Sequence, residues 1–203
     1  MNKLLMISLI FISSCGVIGI QEIPQITRSI IYGAEDIKIT DNFFKDMKYS
    51  FVKVKIGKDK KDIFVLSNIT DDIYSWIGPN NEKIYTKFGK IVKTSGLEYN
   101  IFILGDLSNI SIKDQAISSH YLQLRDPNAI LSIDSNVIKI SSKAFDRELD
   151  TVDVDIYHEE FSSEPLRWQH RNIFYISESG MVIHTLQDYH PSAKKIELTF
   201  YYK

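Results

Sequence analysis

The apolar positions of this chain recur mainly at every second residue, the period of a strand with one buried face. Ser50–Ile56 sets Val52, Val54 and Ile56 against Phe51, Lys53 and Lys55. Asp62–Ile69 continues beyond the polar turn 57–61 and predicts a hairpin with it. Ile73–Ile77 carries Trp76 and stops at Gly78-Pro79-Asn80-Asn81, a strong turn. Lys83–Lys87 and Lys90–Thr94 flank Phe88-Gly89. Tyr99–Leu107 holds a further apolar run, and Leu124–Asn128 reads as a loop around Pro127. Ala129–Ile133 and Val137–Ser141 read as two strands separated by Asp134-Ser135-Asn136. Thr151–His158 alternates Val152, Val154 and Ile156 against Asp153, Asp155 and Tyr157. Arg171–Ser177 and Met181–Gln187 surround the turn Glu178-Ser179-Gly180, and Lys194–Lys203 closes the chain.

These segments give about ten strand candidates. Helical spacing is confined to short pieces such as Gln25–Tyr32, with Ile26, Ile30 and Ile31. No repeat and no linker-like break interrupts the pattern. The predicted fold is mainly β: a single antiparallel domain with a few short helices.

The first residues break the period. Lys3 precedes an apolar run, Leu4–Ile12, and then come Ser13, Ser14 and Cys15, the only cysteine. The run is far shorter than the ~20 residues that span a bilayer as a helix. It matches the ~7–15-residue core of a secretory signal. Ile12-Ser13-Ser14-Cys15 resembles the bacterial lipobox, which implies a diacylglyceryl group and an N-acyl chain (palmitate, for example) on Cys15. Two or more acyl chains hold a protein firmly in a bilayer, at about 0.8 kcal/mol per buried methylene. Plain secretion is the competing reading. The expected organisation is a signal over 1–14, a tether over 15–24 and one β-rich domain over 25–203. Gly16, where an Asp would favour inner-membrane retention, points to the outer membrane, facing the periplasm.

Composition adds exclusions. A net charge of −2 leaves no basic footprint for nucleic acid. One cysteine permits no intramolecular disulfide and no Cys-rich metal centre. A hydrophobic fraction of 44% is ordinary for a globular core.

Candidate chemistry is sparse. No nucleophile elbow, phosphate loop or paired-histidine zinc motif occurs, and no cofactor is implied. His158-Glu159-Glu160 is suggestive of metal ligands, but His158 and Glu159 on a strand face opposite ways, and a solvated strand end is the plainer reading. His170 and His184 would approach each other across the 178–180 hairpin in one register. Asp71-Asp72 is one carboxylate pair. Asp153 and Asp155 share a strand face, where a solvent-facing role competes with cation or sugar binding. Trp76 and the group Arg167, Trp168 and Arg171 are candidate ligand contacts, since aromatic and guanidinium faces stack on sugars and anions. Core packing is the plainer reading for both tryptophans.

Several blocks, in order, resemble the GfcB/YjbF family of lipoproteins tied to group-four capsule and exopolysaccharide loci. They are Asp36–Thr40 (D-I-K-I-T), Lys48–Val54 (K-Y-S-F-V-K-V), Trp76 with Gly89–Leu97 (G-K-I-V-K-T-S-G-L), Arg167–Ile176 (R-W-Q-H-R-N-I-F-Y-I) and Ser179–Val182. Lys48 stands where the family usually has Pro, Tyr175 where it often has Trp, and Ser177 where it has Asp. The resemblance implies bifurcated, coiled antiparallel sheets and an accessory role in polysaccharide export. It supplies no catalytic residues. The expectation is therefore a non-enzymatic, lipid-anchored module whose partners are the bilayer and either a polysaccharide or proteins of the export apparatus. Two alternatives stand beside it. One is a periplasmic glycan-processing enzyme using Asp153, Asp155 or His158 in acid–base roles. The other is an interaction protein that offers a sheet edge to a partner.

Overall fold

The computed structural model describes residues 37–203 apart from 59, 60, 109, 115, 116 and 126. The chain divides into units 1–33 and 34–203, and all described residues belong to the second. The signal, Cys15, the tether and the expected helical turn over Gln25–Tyr32 lie outside the described residues.

Period two translates into strands throughout. The described strands are β1 (Phe51–Ile56), β2 (Lys61–Thr70), β3 (Ile73–Ile77), β4 (Lys83–Lys87), β5 (Lys90–Ser95) and β6 (Ile101–Leu104). They continue as β7 (Ile117–Arg125), β8 (Asn128–Asp146), β9 (Thr151–Ser163), β10 (Trp168–Ser177), β11 (Val182–Gln187) and β12 (Ile196–Tyr201). Each pairs antiparallel with its neighbour in sequence, and β12 pairs back onto β1, with Phe51 opposite Tyr201 and Ile56 opposite Ile196. The mainly β, antiparallel fold is as expected, and its sheet is one closed barrel. Closure removes the two open edges that a flat meander would leave.

Val52, Val54, Phe64, Trp76, Leu198 and Phe200 fill the interior. Lys55, Lys93, Glu160, Arg171 and Glu197 lie on the outer surface.

Two outer structures modify the wall. The helix α1 (Asp41–Asp46) is capped by Thr40, whose Oγ1 accepts from the Phe43 amide at 3.2 Å. It packs Phe43 edge-on to Phe51, 5.5 Å between ring centres, while Phe51 stacks on Tyr201 at 4.9 Å. Phe51 thus sits on the face opposite Val52, as the alternation requires, yet is fully buried under the helix. The second structure is the long β8–β9 hairpin, whose tip folds over the outer wall. Phe145 packs on Tyr175 and His184, 4.8 and 5.0 Å between ring centres. Arg147 donates from Nη1 to the Phe200 carbonyl at 2.6 Å. Glu148 pairs with Lys53 of β1 at 2.5 Å.

Two sequence expectations need correction. Asp134-Ser135-Asn136 is not a turn; it lies inside the 19-residue strand β8. Strand alternation persists through these polar residues because β7 supplies partners. Ser119 donates to Asp134 at 2.6 Å and Ser118 bonds Ser135 at 2.9 Å. β7 itself had no sequence counterpart, although Leu122 and Leu124 alternate with Tyr121 and Gln123. The loop around Pro127 proves to be a tight connection, with Arg125 opposite Asn128.

In an up-and-down barrel, alternate loops share an end. The β1–β2, β3–β4, β5–β6, β7–β8, β9–β10 and β11–β12 connections form one mouth. The chain enters β1 at Ser50 and leaves β12 at the opposite end.

Candidate functional site: a cleft at one mouth of the barrel

Three of those loops, β3–β4, β5–β6 and β11–β12, together with the adjoining ends of β1 and β2, line a cleft of about 340 Å³. Its floor is apolar, from Val54 and Ile56 of β1 and Phe64 of β2. Asp62, Glu82 and Glu98 bring carboxylates to the walls, and Tyr99 and Tyr189 bring aromatic rings. Ser192 and Lys194 complete the β11–β12 side.

Local hydrogen bonds build each wall. At the β3–β4 turn, the Glu82 carboxylate accepts from the Asn80 amide at 2.8 Å and from Asn80 Nδ2 at 2.9 Å. Gly78 permits this turn to close on Phe64, since a Cβ there would lie 2.6 Å from the Phe64 ring. In the β5–β6 loop, Asn100 accepts from the Leu97 amide at 3.2 Å and donates to its carbonyl at 2.8 Å. In the β11–β12 loop, His190 Nδ1 accepts from the Ser192 amide at 3.0 Å. The His190 ring also stacks on Tyr99, 4.8 Å between centres and 28° between planes. That stack ties two loops together across the mouth. Burial, with Glu98 and Tyr99 alongside, pushes the Tyr189 phenol up to about 12, so it stays a neutral O–H.

Beneath the mouth runs a buried polar chain. Lys90 Nζ and Glu159 Oε1 are 2.5 Å apart inside the barrel. Asn172 donates to Glu159 at 2.8 Å and accepts from the Asp188 amide at 2.8 Å. Asp188 Oδ2 lies 2.9 Å from both His170 and Lys195. Burial alone would raise the Glu159 carboxyl, but Lys90 and Asn172 together hold it below the ordinary carboxylate value. His120 lies beside a void of about 30 Å³ with Lys90 and Glu159. Burial, then the Lys90 charge, lowers it to about 4. Such a network is stable only because every charge has a partner.

The structure does not gather the sequence-predicted residues into one place. Trp76 is completely enclosed, its Nε1–H donates to Thr86 Oγ1 at 2.9 Å, and it packs on Tyr74 and Phe200. Trp168 is also buried, edge-on to Phe161 at 4.9 Å. Arg171, three positions on, faces outward and meets Glu160 at 2.7 Å. Arg167 occupies a left-handed turn position at φ 50°. Odd offsets along a strand separate the tryptophan from Arg171. His184 sits opposite Tyr175 and bonds Thr199 at 2.9 Å, while His170 meets Asp188, so these histidines are not a pair. Asp155 meets Lys139 at 2.8 Å and Ser142 at 2.6 Å on the wall, and neither it, Asp153 nor His158 lines the cleft. Hydrogen bonds from Lys139 and Ser142 keep Asp155 below its ordinary value. Asp71-Asp72 is a tight turn, both residues at positive φ. Among the described residues, no group of three or more His, Cys, Asp or Glu is placed to hold a metal ion.

Fold and site together define a closed up-and-down β-barrel with an acidic, aromatic cleft at one mouth. The chain belongs to the YjbF family, described as group 4 capsule polysaccharide lipoprotein gfcB, YjbF, whose family model matches residues 25–201. The hypothetical lipoprotein YmcC from Escherichia coli (K12) has a similar solved structure, with a TM-score of 0.70 at 19% identity. The likeness covers 80% of this chain and 88% of that one, and it speaks to the fold. A solved chain from Parabacteroides distasonis ATCC 8503 matches at 11% identity over 76% of this chain and 94% of its own, but with a TM-score of 0.35. No curated protein matches the chain.

Proposed function

We propose that this chain is a lipid-anchored, non-enzymatic accessory factor in the assembly or export of a surface polysaccharide. The family match over residues 25–201, following the lipobox-like Ile12-Ser13-Ser14-Cys15, carries the reading. Acylation of Cys15 would hold the barrel at the outer membrane, on its periplasmic side. The alternative of a glycan-processing enzyme on β9 is less well supported. Its acid and base would have to face one substrate cleft, whereas Asp155 is engaged by Lys139 and Ser142 on the wall.

The test is deletion of the gene, together with any related copies, in the native host. Surface polysaccharide should fall and should return when the wild-type chain is restored. Labelled palmitate should enter the wild-type chain but not a Cys15→Ser chain. Unchanged surface polysaccharide after complete deletion would remove the proposal.

A further inference from the structure

We infer that the cleft binds a neutral, hydroxyl-rich saccharide segment of about one or two rings. The inference rests on the polysaccharide role proposed above and adds to it the site and the ligand class.

Four features of the cleft support this. Its volume of about 340 Å³ lies at the small end of the ~300–1,000 Å³ range of small-ligand sites. Its walls present both faces of sugar chemistry. Tyr99, partly exposed, supplies ring surface for the C–H face of a pyranose, and the buried rings of Phe64 and Tyr189 back the cleft. Asp62, Glu82 and Glu98 supply carboxylate oxygens that accept from hydroxyl groups, and charge-assisted bonds of this kind are the stronger ones. Finally, the walls are held in place without a ligand: Glu82 by Asn80, the β5–β6 loop by Asn100, and the two opposing loops by the Tyr99–His190 stack. A site already ordered loses less entropy on binding.

Charge sets the class of sugar. Among the described residues lining the cleft, three carboxylates, of Asp62, Glu82 and Glu98, stand against one ammonium, that of Lys194. Lys194 is itself fixed, with its aliphatic stem against Gly57, where an added Cβ would lie 2.2 Å from Lys194 Cδ. Within this lining a uronate or phosphate-bearing segment would meet the three carboxylates, whereas a neutral segment carries no charge to oppose them.

The experiment uses the full-length acylated chain in a detergent without a sugar headgroup. Binding is followed by saturation-transfer NMR and titration with cellobiose, N,N′-diacetylchitobiose and digalacturonate. A neutral disaccharide should bind saturably, and digalacturonate about tenfold more weakly or not at all. Tyr99→Ala should abolish the transfer. Glu98→Lys, at an exposed position that leaves the core untouched, should weaken neutral binding and narrow the preference against digalacturonate. No binding of either neutral disaccharide, tighter binding of digalacturonate, or wild-type binding in both variants would each overturn the inference. Failure here is separable from failure of the proposed function. If deletion lowers surface polysaccharide and Glu98→Lys and Tyr99→Ala chains both restore it fully, the cleft inference falls while the accessory role stands.

Discussion

At the scale of single residues, the barrel's least expected feature is charge inside it. Lys90 and Glu159 are both buried and joined at 2.5 Å. Lys90→Met would leave the Glu159 carboxylate in the interior without its cationic partner, hydrogen-bonded by Asn172, and we expect a loss of about 3–5 kcal/mol in urea unfolding. The double variant Lys90→Met/Glu159→Leu should lose clearly less than the two single changes added together. Nothing local in the chain announces this pair. His158-Glu159 drew attention as a ligand set, and strand alternation correctly placed the two on opposite faces, but the partner of Glu159 lies 69 positions away. Histidines give a second residue-scale test. Burial lowers both His120 and His184 to about 4, against an ordinary 6.5. The folded state therefore favours their neutral forms, while the unfolded chain takes up protons as pH falls through about 6.5. Stability should decline between pH 6.5 and 4, by about 1.4 kcal/mol per pH unit for each histidine. Urea titrations across that window check it, and His184→Asn should remove about half of the slope.

Elements were legible where alternation and turn chemistry agreed. The 57–61 turn, the Gly78–Asn81 turn and the Glu178–Gly180 hairpin all join the strands expected of them. Phe88-Gly89 links β4 to β5 with both residues at positive φ, 47° and 77°, the geometry of a type I′ turn. Gly89→Ala should be costly twice over, through the left-handed backbone and through a Cβ placed 2.6 Å from Val182 Cγ1. We expect a loss of about 2 kcal/mol, read from the urea midpoint. The reverse change is available at Asp71-Asp72, which also holds positive φ at both positions, 52° and 62°. Replacing the pair by Asn-Gly should stabilise by about 0.5–1 kcal/mol. Elements were missed where they depended on distant partners. β8 keeps its polar stretch in the strand because Ser118 and Ser119 of β7 meet it. The helix α1 is six residues long, and its local signals are slight: the cap Thr40, Asp41 in the first turn and Lys45 in the last.

At the scale of the molecule, the sequence reading reached an antiparallel β domain and its family but not its closure. Closure depends on register between the first and last strands, Phe51 to Tyr201, which no local pattern encodes. The cleft was unreadable for the same reason. Tyr99, Glu98, Tyr189 and Glu82 come from three separate loops, and single-segment reading instead selected Trp76 and Trp168, which are packed in the core. If an anchored barrel serves surface polysaccharide, the amount of that polysaccharide on cells depends on both the barrel and its anchor. Deletion cells would carry either the wild-type chain or the same barrel released from lipid by replacing residues 1–15 with a cleaved signal. The account predicts recovery with the anchored chain and little recovery with the released barrel at equal abundance. Full recovery with the released barrel, or no loss on deletion at all, would contradict it.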